Sequence, residues 1–220
     1  MTRTVVIGGG AGALGSAVTA EFAAAGWRVV VPVRPGETVD EAVMVGADLA
    51  ERESAAEVIG VATAEADAPL RAVVNLVGGY ASAGRVHETD IADFEEQLRL
   101  NLRPAYLLTA TALPHLIAAG GGAVVCTASR AALRPFSGAA GYITSKAGVL
   151  AFVSALAVEY AHDNVRVNAI VPNVIDTPAN RAAQPGSDRR GWTAPADIAK
   201  VVRYLCEDES ATVTGAHIPV

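Results

Sequence analysis

Short apolar runs, most of them rich in valine, recur along the chain and alternate with longer segments of helical periodicity. The runs predict strands at 4–9, 28–33, 43–48, 72–77, 123–127, 165–171 and 216–220. Because their hydrophobicity is continuous, we expect a parallel sheet covered by helices on both faces. The segments between them predict helices at 13–25, 52–66, 91–118, 141–161 and 194–207. The pattern predicts an α/β fold in which residues 1–220 form one domain, a doubly wound parallel sheet of about seven strands.

The unit between the second and third predicted strands is shorter than the others. About nine residues separate the two strands, which is too few for a full crossover helix, so we expect a helical turn or two at most. Pro32 cannot donate a hydrogen bond to a central ladder and is expected to mark the end of its strand. The composition never shifts abruptly, so the sequence indicates no further domain boundary.

Composition and charge exclude several classes of function. The formal net charge is −6 and no run of lysine or arginine is present, so nucleic acid is not an expected partner. The sequence shows neither a signal-peptide pattern nor a stretch that predicts a membrane span, and we expect a cytoplasmic protein that binds no membrane. Cys126, Cys206 and the four histidines are scattered without the spacing of a metal site, and no metal is predicted.

A glycine-rich loop follows the first predicted strand and opens into the first helix. It reads Gly-Gly-Gly-Ala-Gly-Ala-Leu-Gly from Gly8 to Gly15. Glycines let backbone N–H groups approach a pyrophosphate, and the helix N-terminus offers its dipole to the negative charge. The loop therefore predicts dinucleotide binding, with a simple tight turn into a helix as the alternative. The cofactor residues predicted here are Gly9, Ala11, Gly12, Ala13, Leu14 and Gly15.

The end of the second predicted strand bears on the choice of dinucleotide. NAD enzymes place an acidic residue there to bind the adenosine ribose, whereas this chain has Val33 followed by Arg34. An arginine at this position can pair with the 2′-phosphate of NADP. We therefore expect NADP(H) rather than NAD(H). In the alternative interpretation, Pro35 and Gly36 turn Arg34 away, and it is a solvated loop residue.

Tyr142 and Lys146 are the pair of residues with the clearest chemistry. At i and i+4 of a predicted helix they share one face. A nearby ammonium group favours tyrosinate and lowers the phenol pKa, which makes the tyrosine a usable general acid or base. Ser129 follows the fifth predicted strand, where its hydroxyl can hold a substrate carbonyl oxygen, and Asn101 can relay protons to the lysine through water. A surface Tyr/Lys pair and a hydrogen-bonded core asparagine are the alternatives.

Together these motifs resemble the short-chain dehydrogenase/reductase family over nearly the whole chain. The resemblance is carried by the glycine loop, Asn75 to Gly78, Asn101, Ser129, Tyr142 with Lys146, and Pro172 to Pro178. Gly78-Gly79 followed by Tyr80, and Asp176 to Arg181 with Trp192, resemble its dihydropteridine-reductase-like branch most closely, whereas Ser129 resembles the wider family. The chain departs from the family pattern at Ala13, Leu76 and Asn173, none of which is a reacting group.

The resemblance implies a Rossmann-type fold and a role for each matching residue. Tyr142 is expected to donate the proton in reduction, and Lys146 to bind the nicotinamide ribose and lower the pKa of the tyrosine. Ser129 would orient the substrate, and Asn101 would complete a proton relay. Besides Tyr142 and Lys146, the implied cofactor contacts are Asp48, Leu49, Asn75, Gly78, Pro172, Ile175 and Thr177. Substrate contacts are expected for Tyr80, Ser129 and Trp192.

The expected function is NADPH-dependent transfer of a hydride between nicotinamide and a small carbonyl or ring substrate, with Tyr142 as general acid/base. Two alternatives stay open: dihydropteridine-reductase-like activity, and a non-catalytic protein that senses the cofactor or acts as a scaffold. The apolar helices at 91–118 and 141–161 predict a homodimer or homotetramer. The segment 177–195 is expected to form a short lid made of turns, which favours small or flat substrates.

Overall fold

Seven strands form one parallel sheet in the computed structural model, which describes residues 2–220. The strands are β1 (Thr4–Gly8), β2 (Arg28–Val33), β3 (Val43–Gly46), β4 (Leu70–Asn75), β5 (Gly122–Thr127), β6 (Val165–Val171) and β7 (His217–Pro219). Their spatial order is β3-β2-β1-β4-β5-β6-β7, and each neighbouring pair is parallel. The predicted fold class is confirmed. The strand order reverses between β1 and β4, where sheets of this kind bind ligands.

Helices cover both faces of the sheet and bury an apolar core on each. They are α1 (Ala13–Ala24), α2 (Arg52–Ala62), α3 (Ile91–Asn101), α4 (Arg103–Ala118), α5 (Ala140–Glu159), α6 (Pro178–Ala183) and α7 (Pro195–Cys206). On one face α2, α4 and α5 contribute residues such as Val58, Leu108 and Val149. On the other face α1 and α7 contribute Phe22 and Ile198. Because both strand faces are covered, the strand sequences are hydrophobic without alternation.

The predicted helix at 91–118 is instead two helices. α3 ends at Asn101 and α4 begins at Arg103, with Leu102 between them. The reason is Pro104, which has no N–H and whose ring clashes with the carbonyl group four residues earlier in a continuous helix. Proline is tolerated in the first turn of a new helix, where no such bond is made. The break places Asn101 at the last position of α3.

The connection between β2 and β3 contains turns and no helical residue within 34–42, so the short helix considered for this segment does not form. β2 continues through Pro32 to Val33, and the expectation that Pro32 ends the strand is wrong by one residue. Proline fits here because the paired register of β1 with β2 stops at Val30. Pro32 faces only Val45, on the edge strand β3.

The lid segment contains a helix, α6, where turns alone were expected. It follows Thr177, whose hydroxyl oxygen accepts a hydrogen bond from the backbone N–H of Asn180 at 3.2 Å. Threonine as the N-cap with proline at the start of the helix is a recognised helix start. Ile175 pairs with Thr193 in an isolated parallel bridge, which ties the two ends of the lid together.

By length and composition alone, α5 is apolar enough to cross a membrane. Its residues Val149 and Val153 are fully buried in the core of the domain. A core helix of a globular domain passes the same test, so this helix is weak evidence for a membrane span.

Candidate active site

The loop between β1 and α1 fits only glycine at several positions. Gly9 has a φ of +80°, in the left-handed region that favours glycine. A Cβ atom on Gly15 would lie 2.0 Å from the carbonyl oxygen of Gly9, and one on Gly10 would lie 2.7 Å from Cγ1 of Val31. The N-cap of α1 is Gly12, which has no side chain to occupy the first N–H groups of the helix. The loop therefore fits a pyrophosphate.

A cavity of about 1010 Å³ lies beside this loop, at the carboxyl ends of β1 to β4. The predicted cofactor residues that line it are Gly9, Ala11, Gly12, Arg34, Asp48, Leu49 and Gly78. Its lining also includes residues that were not predicted, among them Glu37, Arg99, Leu100 and Pro104. The predicted cofactor residues that do not line it are Ala13, Leu14, Gly15, Asn75, Tyr142, Lys146, Pro172, Ile175 and Thr177. We call this cavity the cofactor groove.

Asn75 lies at the end of β4, beneath the glycine loop. Its side chain is 1% exposed, and its Oδ1 atom has no hydrogen-bond partner within residues 2–220. A Cβ atom on Gly8 would lie 3.2 Å from that oxygen. Buried polar atoms are normally paired, so an unpaired acceptor at this point fits a site whose ligand is a polar molecule.

Arg34 lines the cofactor groove, but its guanidinium group is already paired. Nε and Nη2 of Arg34 donate hydrogen bonds to Oε1 of Glu37 at 3.0 and 2.7 Å, and the backbone N–H of Arg34 donates to Oε2 at 2.8 Å. The contact with Arg34 lowers the pKa of the Glu37 carboxyl and raises the pKa of the arginine. Neither interpretation of Arg34 from the sequence included this partner, although opposite charges three residues apart are a visible signal.

Lys146 is 4% exposed, and its Nζ donates a hydrogen bond to the carbonyl oxygen of Thr127 at 2.9 Å. Burial lowers the pKa of its ammonium group to about 8. Burial also raises the pKa of Tyr142, against a lowering contribution from a hydrogen bond with Ser129. The expectation that the lysine charge lowers the tyrosine pKa is therefore wrong. Desolvation dominates, and the phenol of Tyr142 is protonated at neutral pH.

Ser129 and Tyr142 lie together, as predicted. Ser129 follows β5, and its hydroxyl oxygen accepts a hydrogen bond from the backbone N–H of Ala131 at 3.2 Å. The same side chain lies near enough to the Tyr142 phenol to act on it, and its polar contribution lowers the pKa of Tyr142. The backbone N–H of Arg130 donates to the carbonyl oxygen of Pro172 at 2.9 Å, which fixes this loop beside the end of β6.

Asn101 and Lys146 converge on Gly78. Asn101 is fully buried, and it accepts a hydrogen bond from the backbone N–H of Gly79 at 3.0 Å and donates one to the carbonyl oxygen of Gly79 at 3.1 Å. A Cβ atom on Gly78 would lie 2.5 Å from Oδ1 of Asn101 and 2.8 Å from Nζ of Lys146. Because Gly78 lines the cofactor groove, the amide and the ammonium group lie directly behind the part of the groove wall that Gly78 forms.

An aromatic wall formed by Tyr80 and Phe136 adjoins Tyr142. The rings of Tyr80 and Tyr142 meet edge to face with centroids 5.1 Å apart, and the Tyr80 and Phe136 centroids are 6.2 Å apart. Tyr80 is 58% exposed and Phe136 is 49% exposed, so both rings can contact a ligand. Phe136 was not predicted, because it lies in an irregular loop without a periodic pattern.

Trp192 belongs to none of these aromatic pairs. Its ring lies under the guanidinium group of Arg189, with the Arg189 carbon 5.9 Å from the ring centroid. Ile175 and Thr177, the other predicted residues of this region, are held by the lid bridge and by the cap of α6. The described contacts therefore bring Tyr80 and Ser129 to Tyr142, and they do not show Trp192 at the same point.

A second cavity, of about 500 Å³, adjoins Tyr142 on the side of α3. It lies between the loop after β4 and the starts of α3 and α5, and its apolar lining includes Val86, Ile91 and Phe94. Gln97 also lines it and is 7% exposed. This cavity, unlike the cofactor groove, is lined by Tyr142 itself.

Comparison with known proteins identifies the family. Residues 3–188 match the family model described as short chain dehydrogenase. The chain is similar to 2-(R)-hydroxypropyl-CoM dehydrogenase of Xanthobacter autotrophicus, with 30% identity over 240 residues that cover 98% of this chain and 96% of that protein. It is also similar to 2,5-dichloro-2,5-cyclohexadiene-1,4-diol dehydrogenase LinX of Sphingobium indicum, with 27% identity covering 99% and 94% of the two chains. In structure it resembles ElxO, solved with NADP bound, with a TM-score of 0.91, 23% identity and coverage of 100% and 97%.

The chain belongs to the short-chain dehydrogenase family, as its motifs predicted. It is therefore an oxidoreductase that acts on CH–OH or C=O groups, and membership favours this enzyme over the non-catalytic alternative. The relatives are named dehydrogenases. They lend no support to the closer resemblance to the dihydropteridine-reductase-like branch, which stays a prediction.

Proposed function

We propose that the chain is an NADP(H)-dependent dehydrogenase/reductase of small cyclic alcohols and the corresponding ketones, with Tyr142 as general acid/base. The observation that carries this proposal is the convergence of Lys146 and Asn101 on Gly78, at the wall of the cofactor groove. Tyr142 lies one helical turn before Lys146, beside Ser129. A proton donor and a substrate-orienting hydroxyl thus adjoin the groove that fits a dinucleotide.

In this proposal the nicotinamide ring supplies or accepts the hydride when the cofactor is bound. Burial raises the pKa of Tyr142, so its phenol stays protonated at neutral pH and can donate a proton to the oxygen of a carbonyl substrate. Ser129 can donate a hydrogen bond to the same oxygen and orient it. Lys146, with a pKa of about 8, can bind and release a proton near neutral pH, and Asn101 holds the backbone of Gly79 beside it.

The cofactor assignment rests on the groove. The backbone of the glycine loop would hold the pyrophosphate, Asp48 and Leu49 would contact the adenine, and Arg34 would pair with the 2′-phosphate. Pro172, Ile175 and Thr177 would contact the nicotinamide end, after β6. ElxO, which was solved with NADP bound, has a similar fold. This similarity supports an NADP(H) cofactor, and it extends to the fold alone.

The substrate assignment rests on the exposed aromatic wall. Tyr80 packs against the Tyr142 ring and Phe136 packs against Tyr80, and such exposed aromatic rings pack favourably against a flat ring of a ligand. A relative that is 29% identical, from Sinomonas cyclohexanicum, is named cis-4-hydroxycyclohexanecarboxylate dehydrogenase, and LinX is named for a cyclohexadiene diol. Both names support a six-membered ring alcohol as the substrate class.

We also infer a homodimer or homotetramer through α4 and α5. Outward residues of these helices are apolar: Tyr106 is 51% exposed, Ile117 is 37% exposed and Val158 is 79% exposed. The rings of Tyr106 and Phe152 lie 5.7 Å apart and join the two helices into one apolar surface. Light scattering at micromolar concentration tests this, and a monomeric mass at every concentration would refute it.

Tyr142→Phe tests the catalytic assignment. Cyclohexanol-type alcohols with NADP⁺, and cyclic ketones with NADPH, are screened for turnover, and the variant is compared on the best substrate. The variant is expected to bind the cofactor normally and to lose about 10²- to 10⁴-fold in kcat, since only the proton-transferring hydroxyl is removed. Tyr204→Phe, which alters an exposed tyrosine of α7, is the matched control. Near-normal turnover of Tyr142→Phe would show that the proton comes from elsewhere.

A further inference from the structure

Glu37 holds Arg34 through three hydrogen bonds at the mouth of the cofactor groove. Two come from the guanidinium group and one from the backbone N–H of the same residue, at 2.7 to 3.0 Å. The side chain of Arg34 is 79% exposed and that of Glu37 is 30% exposed. Both residues line the groove. A ligand that enters the groove therefore meets an arginine that already donates two of its five guanidinium hydrogen bonds to a carboxylate.

The charges that line the groove balance. Its charged residues are Arg34, Arg99, Glu37 and Asp48, two of each sign. Arg99 is paired as well, since its Nε and Nη2 donate to the carboxylate of Glu96 at 2.6 and 2.9 Å. The groove therefore has no free excess of positive charge for a second phosphate group. A 2′-phosphate therefore competes with a carboxylate at either arginine.

We propose that Glu37 is a specificity-determining residue, which competes with the 2′-phosphate for Arg34 and so sets the balance between NADPH and NADH. This inference rests on the proposed function, in which Arg34 recognises that phosphate. A carboxylate and a phosphate both accept the two parallel N–H groups of a guanidinium. The phosphate of NADPH displaces Glu37 from Arg34, whereas NADH leaves the pair intact.

Two further physical effects of Glu37 also shift the preference from NADPH towards NADH. When the phosphate takes Arg34, the displaced Glu37 carboxylate stays close to a second anion, and like charges repel. When NADH binds, the ribose 2′-hydroxyl lies at the same end of the groove, where a carboxylate can accept its hydrogen bond. Glu37 thus disfavours NADPH and favours NADH. The end of β2 carries Val33 where NAD enzymes have an acidic residue. Glu37, four residues later, places a carboxylate in the same groove.

Removing the carboxylate charge at Glu37 tests this inference. The dissociation constants of NADPH and NADH are measured by calorimetry on the full chain, for the wild type, Glu37→Gln, Arg34→Ala and the double variant. The ratio of the NADH constant to the NADPH constant is expected to rise about fivefold in Glu37→Gln, as an exposed ion pair no longer has to be broken. Arg34→Ala should lower the ratio about tenfold. The rise caused by Glu37→Gln should be smaller in the Arg34→Ala background, where competition for the guanidinium group is absent and only the repulsion and the 2′-hydroxyl hydrogen bond remain.

Glu96→Gln is the matched control, because it frees Arg99, the other groove arginine, by the same loss of one charge. An equal rise of the ratio in Glu96→Gln would show a general charge effect and overturn the role of Glu37. An unchanged ratio in Glu37→Gln, with a selective loss of NADPH binding in Arg34→Ala, would overturn the inference and leave the NADP(H) assignment standing. No selective loss in Arg34→Ala would overturn both.

Discussion

Replacing Lys146 by methionine tests whether the site is built at the expense of stability. The pKa of Lys146 falls from 10.5 to about 8 because its ammonium group is buried. The folded protein therefore binds this proton more weakly than the unfolded chain does. Folding is opposed below pH 8, and the opposition is relieved as the pH rises from 8 to 10.5. The opposing free energy is about 3 kcal/mol at pH 7 and about 2 kcal/mol at pH 9.

The Lys146→Met variant removes the free energy that opposes folding and keeps a long, unbranched side chain in the same space. It also loses the hydrogen bond to the carbonyl oxygen of Thr127, a contribution that does not depend on pH in this range. The difference in unfolding free energy between variant and wild type should therefore shrink by about 1 kcal/mol between pH 7 and pH 9. The variant should also bind cofactor weakly and turn over slowly.

Urea unfolding at several pH values, at one protein concentration, measures this difference. Lys200 is the only other lysine of the chain, and its side chain is 64% exposed on α7, so Lys200→Met is the matched control. Its stability relative to the wild type should not vary with pH. A difference for Lys146→Met that is constant from pH 7 to pH 9 would refute the reasoning, since the buried ammonium would then titrate as in the unfolded chain.

Four further variants concern the glycine loop, helix α2, the aromatic wall and the lid. Gly15→Ala should lower the unfolding free energy by about 1–3 kcal/mol and weaken cofactor binding, because its Cβ would fall 2.0 Å from a carbonyl oxygen. Gly60→Ala on α2, with open space around the added methyl group, should raise stability by about 0.5–1 kcal/mol in the same urea assay. Phe136→Ala should raise the KM for cyclic ketones several-fold and spare small acyclic ones, and Trp192→Ala should also lower activity. Steady-state kinetics with unchanged KM values would contradict these two.

Several errors of the sequence interpretation arose because the periodic apolar pattern was given more weight than local residue signals. Pro104 predicts the break between α3 and α4, and Thr177 followed by proline predicts the start of α6. Both residues act through contacts within one helical turn. The Arg34–Glu37 pair is equally local. These features can be predicted from the sequence, because they depend only on residues within one helical turn or loop.

The sheet, its helical layers and the glycine loop were determined by the sequence. Continuous apolar runs need cover on both faces. A Cβ atom on Gly15 would lie only 2.0 Å from the carbonyl oxygen of Gly9, so the loop permits no side chain there. The sequence also determined that Tyr142 and Lys146 share one helix face, because a helix places residues four apart on the same face whatever surrounds it.

What surrounds those residues was decided only by the tertiary structure. The meeting of Asn101 and Lys146 at Gly78 joins α3, α5 and the loop after β4, which are distant in sequence. The pKa of Tyr142 is raised by burial, a property of packing rather than of spacing, whereas the motif suggested that a neighbouring charge lowers it. Phe136 reaches Tyr80 across two loops without any periodic pattern. Contacts between distant segments depend on how the layers pack, and the order of residues along one segment does not encode them.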